Sequence, residues 1–279
     1  MKTIDGKKIA AKKLLALKDE INEMEAEPTL AVILIGDDPA SHLYVDHKEK
    51  AAKEIGIELR KYLFDENVVR EDVKASIEFL NSDPETHSII VQLPLPEQLD
   101  TDDIVGLIDP DKDVDGFHPI NQKKFLNNEE CIFPVFPRAI LSLIESEEKN
   151  IANKKAVVIG KSDIFDNVMT HALAIDGAET QFISSEKNDP FNDHINDVIN
   201  AADIIVTACG KPNMISCDVI SDDTIVIDGG ISKVNGKTVG DVDTTECEKR
   251  KITISPVPGG VGPVTIACLL ENVVELAKK

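Results

Sequence analysis

Tyr44 and Lys48 are four residues apart, so any helix that contains them presents both on one face. A phenol beside an amine suits proton transfer, provided the lysine can give up its proton near neutral pH. The same spacing also decorates ordinary solvated helices, so its meaning depends on what else reaches it. Gln92 lies in an otherwise apolar run, Ile89-Ile90-Val91-Gln92-Leu93-Pro94. A buried amide there needs hydrogen-bond partners, and either a lysine or nearby backbone could supply them. Lys112-Asp113-Val114-Asp115-Gly116 sets two carboxylates in a turn-prone stretch. Two carboxylates alone are too few for a metal site, so no metal is expected and a solvated turn is the bland alternative. Pro256-Val257-Pro258-Gly259-Gly260-Val261-Gly262-Pro263 alternates the stiffest and the most permissive residues, which makes a fixed loop whose backbone can approach a flat ligand.

A second constellation follows Val157-Val158-Ile159-Gly160-Lys161-Ser162. Strand, glycine and helix in that order suit a dinucleotide pyrophosphate at a helix N-terminus, although the G-x-G-x-x-G fingerprint is absent. The next strand ends in Ser184-Ser185, where an NAD site usually carries an acid for the ribose hydroxyl. Lys161 could instead pair with a 2′-phosphate, with Ser185 donating a hydrogen bond, which favours NADP over NAD. An ordinary strand-to-helix turn with a solvated lysine remains the alternative.

The elements that would carry these residues alternate between strand and helix. Leu30 to Gly36 reads as a buried strand, then Asp38 offers an N-cap and Pro39 a first helical position. That helix runs to about Ile55, with Gly56 as its stop. Lys61 to Asp65 and Ile89 to Pro94 are further strands, and Arg70 to Asn81 is a helix. In the second half, Ala156–Gly160, Thr180–Ser184, Ile204–Ala208 and Ile225–Asp228 read as strands, with helices over Phe165–Asp176 and Val264–Lys278. This βα alternation implies parallel α/β sheets covered by helices. The turn-rich Phe117 to Pro137 stretch is the natural boundary.

Composition fits that picture. A chain of 279 residues suggests about two domains, and 42% hydrophobic residues can fill their cores. Its 30 basic and 51 acidic residues give a net charge of −21, which argues against nucleic acid as a partner. The N-terminus lacks the apolar stretch of a signal peptide and no run reaches the roughly 20 apolar residues of a membrane span, so a cytoplasmic protein with no membrane partner is expected. The five cysteines, Cys131, Cys209, Cys217, Cys247 and Cys268, form no C-x-x-C pair and read as free thiols, mostly buried.

Several stretches together resemble one family, the bifunctional methylenetetrahydrofolate dehydrogenase/methenyltetrahydrofolate cyclohydrolases. They are Ser41-His42-Leu43-Tyr44-Val45 through Lys48 and Lys50, Ala51 to Ile57, Val91 to Pro96, Pro110 to Phe117, and Pro256 to Thr265. The resemblance implies two α/β domains with a folate cleft between them: residues 1–133 plus 262–279 as the folate-binding catalytic domain, and 134–261 as a Rossmann-like NAD(P)-binding domain. The C-terminal helix would return to the first domain, and homodimers would form through the cofactor domain. It assigns proton chemistry to Lys48, with Gln92 and Tyr44. Tyr44, Asp115, Gly259, Gly260, Gly262 and Pro263 would bind a tetrahydrofolate derivative. Gly160, Lys161, Ser162, Ser185 and Ile231 would contact NADP.

The chain departs from the family on the cofactor side. Asp166-Asn167-Val168 stands where Gly-Lys-Pro or similar is common, and Pro134-Val135-Phe136-Pro137 replaces Pro-Cys-Thr-Pro. Ala139 replaces a usual glycine, and Asp228-Gly229-Gly230 stands for Asp-Val-Gly. Two alternatives therefore stay open: a cyclohydrolase with a degraded dinucleotide site, and a non-catalytic folate-binding protein.

Overall fold

The computed structural model describes residues 1–186 and 193–279. The chain begins with β1 (Lys2–Thr3), α1 (Gly6–Ile21), β2 (Thr29–Ile35), α2 (Pro39–Ile55), β3 (Glu58–Phe64), α3 (Arg70–Ser82) and β4 (Ser88–Val91). Three helices follow, α4 (Thr101–Val105), α5 (Pro119–Leu126) and α6 (Val135–Glu145). Then come β5 (Lys155–Gly160), α7 (Asp163–Ile175), β6 (Glu179–Ser184), α8 (Asp193–Asn200), β7 (Ile204–Ala208) and β8 (Ile215–Ser216). The remainder is β9 (Ile225–Asp228), β10 (Ser232–Val234), β11 (Lys237–Val239), β12 (Val242–Asp243), β13 (Thr253–Ile254) and α9 (Val261–Ala277).

These elements form two compact units, one of Met1–Ala10 with Phe136–Thr265, the other of Ala11–Val135 with Ile266–Lys279. In the latter unit β2 is central in a parallel sheet of order β3-β2-β4. Every residue of Thr29–Ile35 is buried, the mark of a strand covered on both faces. Helix α3 adds Val73, Ile77 and Leu80, one apolar stripe at helical spacing, to a core with Ile33, Ile89 and Ile104.

The other unit holds a six-stranded parallel sheet of order β1-β13-β9-β7-β5-β6. Its core joins Val157, Ile159, Ile205 and Val226 to Ile195 and Ile199 of α8. The first strand corrects the sequence reading, which grouped residues 1–133 together. Lys2 and Thr3 pair in parallel with Thr253 and Ile254, and this places Met1–Ala10 with the six-stranded sheet. The cysteines need correction too. Cys217 and Cys247 are joined as a disulfide with their Cα atoms 5.5 Å apart, leaving Cys131, Cys209 and Cys268 as free thiols. Cys217 directly follows β8 and Cys247 lies just beyond β12, and the parallel pairing of these two strands brings together residues 30 apart in sequence.

Candidate active site

Helix α2 positions the lysine. The Asp38 carboxylate accepts from both the Ser41 amide and its hydroxyl at 2.8 Å, fixing the first turn just beyond the carboxyl end of β2. The buried face of the helix is Ser41, Val45, Lys48, Ala52 and Ile55. Lys48 thus occupies a position in an apolar stripe, with 4% of its surface exposed. Its Nζ donates to Gln92 Oε1 at 2.9 Å and lies 5.1 Å from the centre of the Tyr44 ring.

Gln92 follows directly on β4 and is held at both ends. Its backbone amide donates to Ile33 O at 2.8 Å, and its Nε2 donates to Leu93 O at 2.7 Å. That second bond fixes which end of the amide faces the lysine, so Lys48 meets a neutral acceptor. Burial lowers the Lys48 pKa from 10.5 to about 8, while the Asp115 carboxylate works in the opposite direction. At pH 7 roughly a tenth of Lys48 is then neutral, against well under a thousandth for a free lysine.

Asp115 is itself pushed up to about 6, first by burial and then by the neighbouring Asp113 charge, with Lys48 opposing both. The turn that carries it is not the solvated one considered from sequence. Asp113 is buried and accepts from the amides of Gly116 (3.2 Å) and His118 (2.8 Å) and from Asn121 Nδ2 (3.0 Å). Asn272, fully buried on α9, donates to Val114 O and Phe133 O at 2.9 Å each. Gly116 has φ +75°, and a Cβ there would fall 2.8 Å from Pro134 Cα, so only glycine fits this bend. Sequence reasoning missed Asp113 and Asn272 as supports. The asparagine's one signal is its place in the otherwise apolar run of the last helix.

The structure thus brings Tyr44, Lys48, Gln92 and Asp115 together within one unit. The Pro256–Pro263 loop belongs to the other unit. There Gly260 N donates to Pro256 O at 2.8 Å and Gly259 takes φ +106°, which closes a tight turn ahead of α9. Pro263 lies in the first turn of α9, and a Cβ on Gly262 would meet nothing within 4 Å.

The expected cofactor contacts gather at the carboxyl end of the six-stranded sheet. Ser162 caps α7 by accepting from Phe165 N at 3.2 Å, and Ser185 N donates to Gly160 O at 2.8 Å. A Cβ on Gly210 would lie 3.6 Å from Lys161 Nζ and 3.9 Å from Ile231 O, so these two residues border the same point. Lys211, which the sequence reading passed over, donates from Nζ to Ser185 O at 2.6 Å. Asp241 anchors that lysine's backbone, accepting from Lys211 N at 2.8 Å, Cys209 N at 2.6 Å and Thr207 Oγ1 at 2.8 Å. Lys161 and Lys211 supply ammonium groups of the kind a phosphate monoester requires, while the Ser185 hydroxyl is buried beneath them.

Two profiles of one family cover most of the chain. Residues 4–115 match the tetrahydrofolate dehydrogenase/cyclohydrolase catalytic domain and residues 134–279 its NAD(P)-binding domain. The chain belongs to this family. Among relatives, the bifunctional protein FolD of Bacillus subtilis is 40% identical over 280 residues, covering 99% of this chain and 97% of that one. FolD of Methanospirillum hungatei is likewise 40% identical, with the same coverage. Of solved structures, the bifunctional FolD methylenetetrahydrofolate dehydrogenase/cyclohydrolase from Campylobacter jejuni superposes with a TM-score of 0.92 at 40% identity, covering 100% of this chain and 99% of that chain. The Trypanosoma brucei family member, solved with NADP cofactor and an inhibitor, gives 0.90 at 32% identity, covering 99% and 97%. The family's fold is therefore this chain's fold, two α/β units of which one carries the Rossmann-like parallel sheet. Among the described residues no helix is long and apolar enough to cross a membrane.

Proposed function

We propose that this chain is a bifunctional folate one-carbon enzyme. It oxidises 5,10-methylenetetrahydrofolate to the methenyl form with NADP, then hydrolyses the methenyl form to 10-formyltetrahydrofolate. Full-length similarity to bifunctional FolD proteins supports both activities. The observation that carries the hydrolytic half is a buried lysine with its pKa at about 8, hydrogen-bonded to a neutral glutamine.

In hydrolysis, water attacks the methenyl carbon and neutral Lys48 takes a proton from it. The bond from that carbon to N5 then breaks, Lys48 returns the proton to N5, and the second water proton leaves to solvent. Gln92 orients the amine without adding a charge that would hold it as ammonium. Tyr44 packs beside the reacting carbon. Asp115 accepts hydrogen bonds from the pterin's amino and ring nitrogens, a polar readout that discriminates strongly. As the family resemblance implies, Gly259, Gly260, Gly262 and Pro263 are also assigned to folate binding.

The dinucleotide supplies the hydride acceptor. The Lys161 and Lys211 ammonium groups suit its 2′-phosphate, with Gly160, Ser162, Ser185 and Ile231 alongside, which favours NADP over NAD. The side chains over Gly160 suit its pyrophosphate poorly. We further propose a homodimer through the cofactor domain, in the cytoplasm. The test is one assay series: supply methylenetetrahydrofolate with NADP or NAD and follow methenyl appearance, then supply methenyl and follow its decay from pH 6 to 9. Decay should rise with pH to a midpoint near 8; decay that ignores pH would refute Lys48 as the base.

A further inference from the structure

The six-stranded sheet reverses its winding at β5. The chain steps outward from β5 to β6 and then crosses back to β7 on the other side. In an open parallel sheet the crevice beyond the carboxyl ends of the strands at such a reversal is where a ligand lies. Here Gly160 ends β5 and Gly229 directly follows β9, and neither residue has a side chain to fill that crevice. Other side chains fill it. A Cβ on Gly160 would fall 2.7 Å from Phe165 Cδ1 and 2.7 Å from Asp166 Oδ1, and one on Gly229 would fall 2.8 Å from Phe136 Cζ.

The Phe136 and Phe165 rings meet edge to face, with centres 5.7 Å apart and planes at 63°. Because β7 lies between β5 and β9, this pair bridges two strand spacings, roughly 10 Å, across the sheet's carboxyl end. Three of the chain's departures from its family therefore meet at one place. The Phe136 ring occupies the space that a side chain on Gly229 would take. Asp166 adds a carboxylate, 3% exposed, in the first turns of α7 beside Gly160. A pyrophosphate at that helix terminus would meet two rings and a buried acidic side chain.

We infer that Phe136, Phe165 and Asp166 form a plug over the dinucleotide crevice, so that cofactor affinity limits the oxidative step while methenyl hydrolysis runs unhindered. The donors for the 2′-phosphate stay in place, so the nucleotide is held by its adenosine end and its pyrophosphate must displace the plug. This inference rests on the reading that this unit takes NADP, and it makes the enzyme principally a hydrolase at ordinary cofactor concentrations.

The test compares NADP binding to the full chain by calorimetry in wild type, Asp166→Asn and Phe165→Val/Asp166→Gly, with methenyl hydrolysis measured on the same samples. Asp166→Asn changes the charge with almost no change of shape, so it guards against a variant that fails to fold. NADP should bind about tenfold tighter to Asp166→Asn, the scale of one partly buried like-charge contact, and tighter again to the double variant. Methylene oxidation at subsaturating NADP should rise in proportion, with hydrolysis unchanged. Equal NADP affinity in wild type and both variants overturns the plug. Absence of NADP binding in all three overturns it as well, and removes the oxidative half of the proposed function. A failure of the Lys48 reading would appear separately, as wild type unable to hydrolyse supplied methenyl, while the binding comparison still decides the plug.

Discussion

Replacing Lys48 by methionine should abolish hydrolysis and at the same time stabilise the protein. Lys48 is 4% exposed and its pKa falls from 10.5 to about 8 on folding. A fall of that size corresponds to roughly 3 kcal/mol, so the ammonium at pH 7 opposes folding by about that much. The unfolded chain binds this proton more tightly than the folded one. Stability from Lys48 is therefore lowest below pH 8 and rises as pH climbs from about 8 towards 10.5. Methionine has nearly the same length and no charge, so the penalty disappears. Part of the gain is offset because Gln92 Oε1 loses its donor and Asp115 its cation. A net gain of about 2 kcal/mol remains at pH 7, readable by urea unfolding, and it should shrink by pH 9.5. Lys48→Arg keeps the charge but cannot release its proton, so hydrolysis should vanish without any gain in stability. A Lys48→Met variant that is less stable than wild type at pH 7, or that still hydrolyses methenyltetrahydrofolate, would refute the reasoning.

Gln92→Glu places a carboxylate where Lys48 now meets an amide at 2.9 Å, so the lysine pKa should climb above 8. The midpoint of the pH–rate profile should move alkaline, and for each step of one pH in that midpoint the rate at pH 7 should fall about tenfold. Asp115→Asn removes the charge that supports the ammonium, so the same midpoint should move below about 8 while folate Kd rises tenfold or more, as titration would show. Asn272→Leu leaves Val114 O and Phe133 O without their donor, which should cost about 2–3 kcal/mol in urea unfolding. It should also weaken folate binding through the loosened Asp115 turn.

Helix α2 was legible because each of its signals is local. Asp38, Pro39 and Gly56 state where it begins and ends, and a lysine among Ser41, Val45, Ala52 and Ile55 marks an oddity in a buried stripe. The partner of that lysine was not local. Gln92 is 44 residues away, and nothing in its own apolar run says which donor it meets, so the pairing came from resemblance to a family. Strands β1 and β13 were missed because two residues carry no period, and each gains its meaning only from pairing across the chain. The Asp113 turn misled for a different reason. Carboxylates in a turn look solvated until the donors that bury them, Asn121 and two amides, are seen to converge. The Cys217–Cys247 bond is likewise invisible at a spacing of 30.

The chain's net charge of −21 should favour ammonium at every lysine, yet Lys48 is shifted the other way. The conflict resolves by range. At physiological ionic strength a surface charge is screened beyond about 8 Å, so most of the acidic residues contribute little at a buried amine. Desolvation acts at contact distance and is the largest influence on Lys48, and the Asp115 charge opposes it. The amide of Gln92 then matters for what it lacks. It accepts the lysine's hydrogen bond without adding a second negative charge, which would return the pKa towards 10.5. Each of these groups lies in the unit of Ala11–Val135 with Ile266–Lys279, whereas Phe136, Phe165 and Asp166 lie in the other. The groups that set the Lys48 pKa and the groups of the inferred plug are therefore carried by different units of the chain, so substitutions can be made in one set without touching the residues of the other.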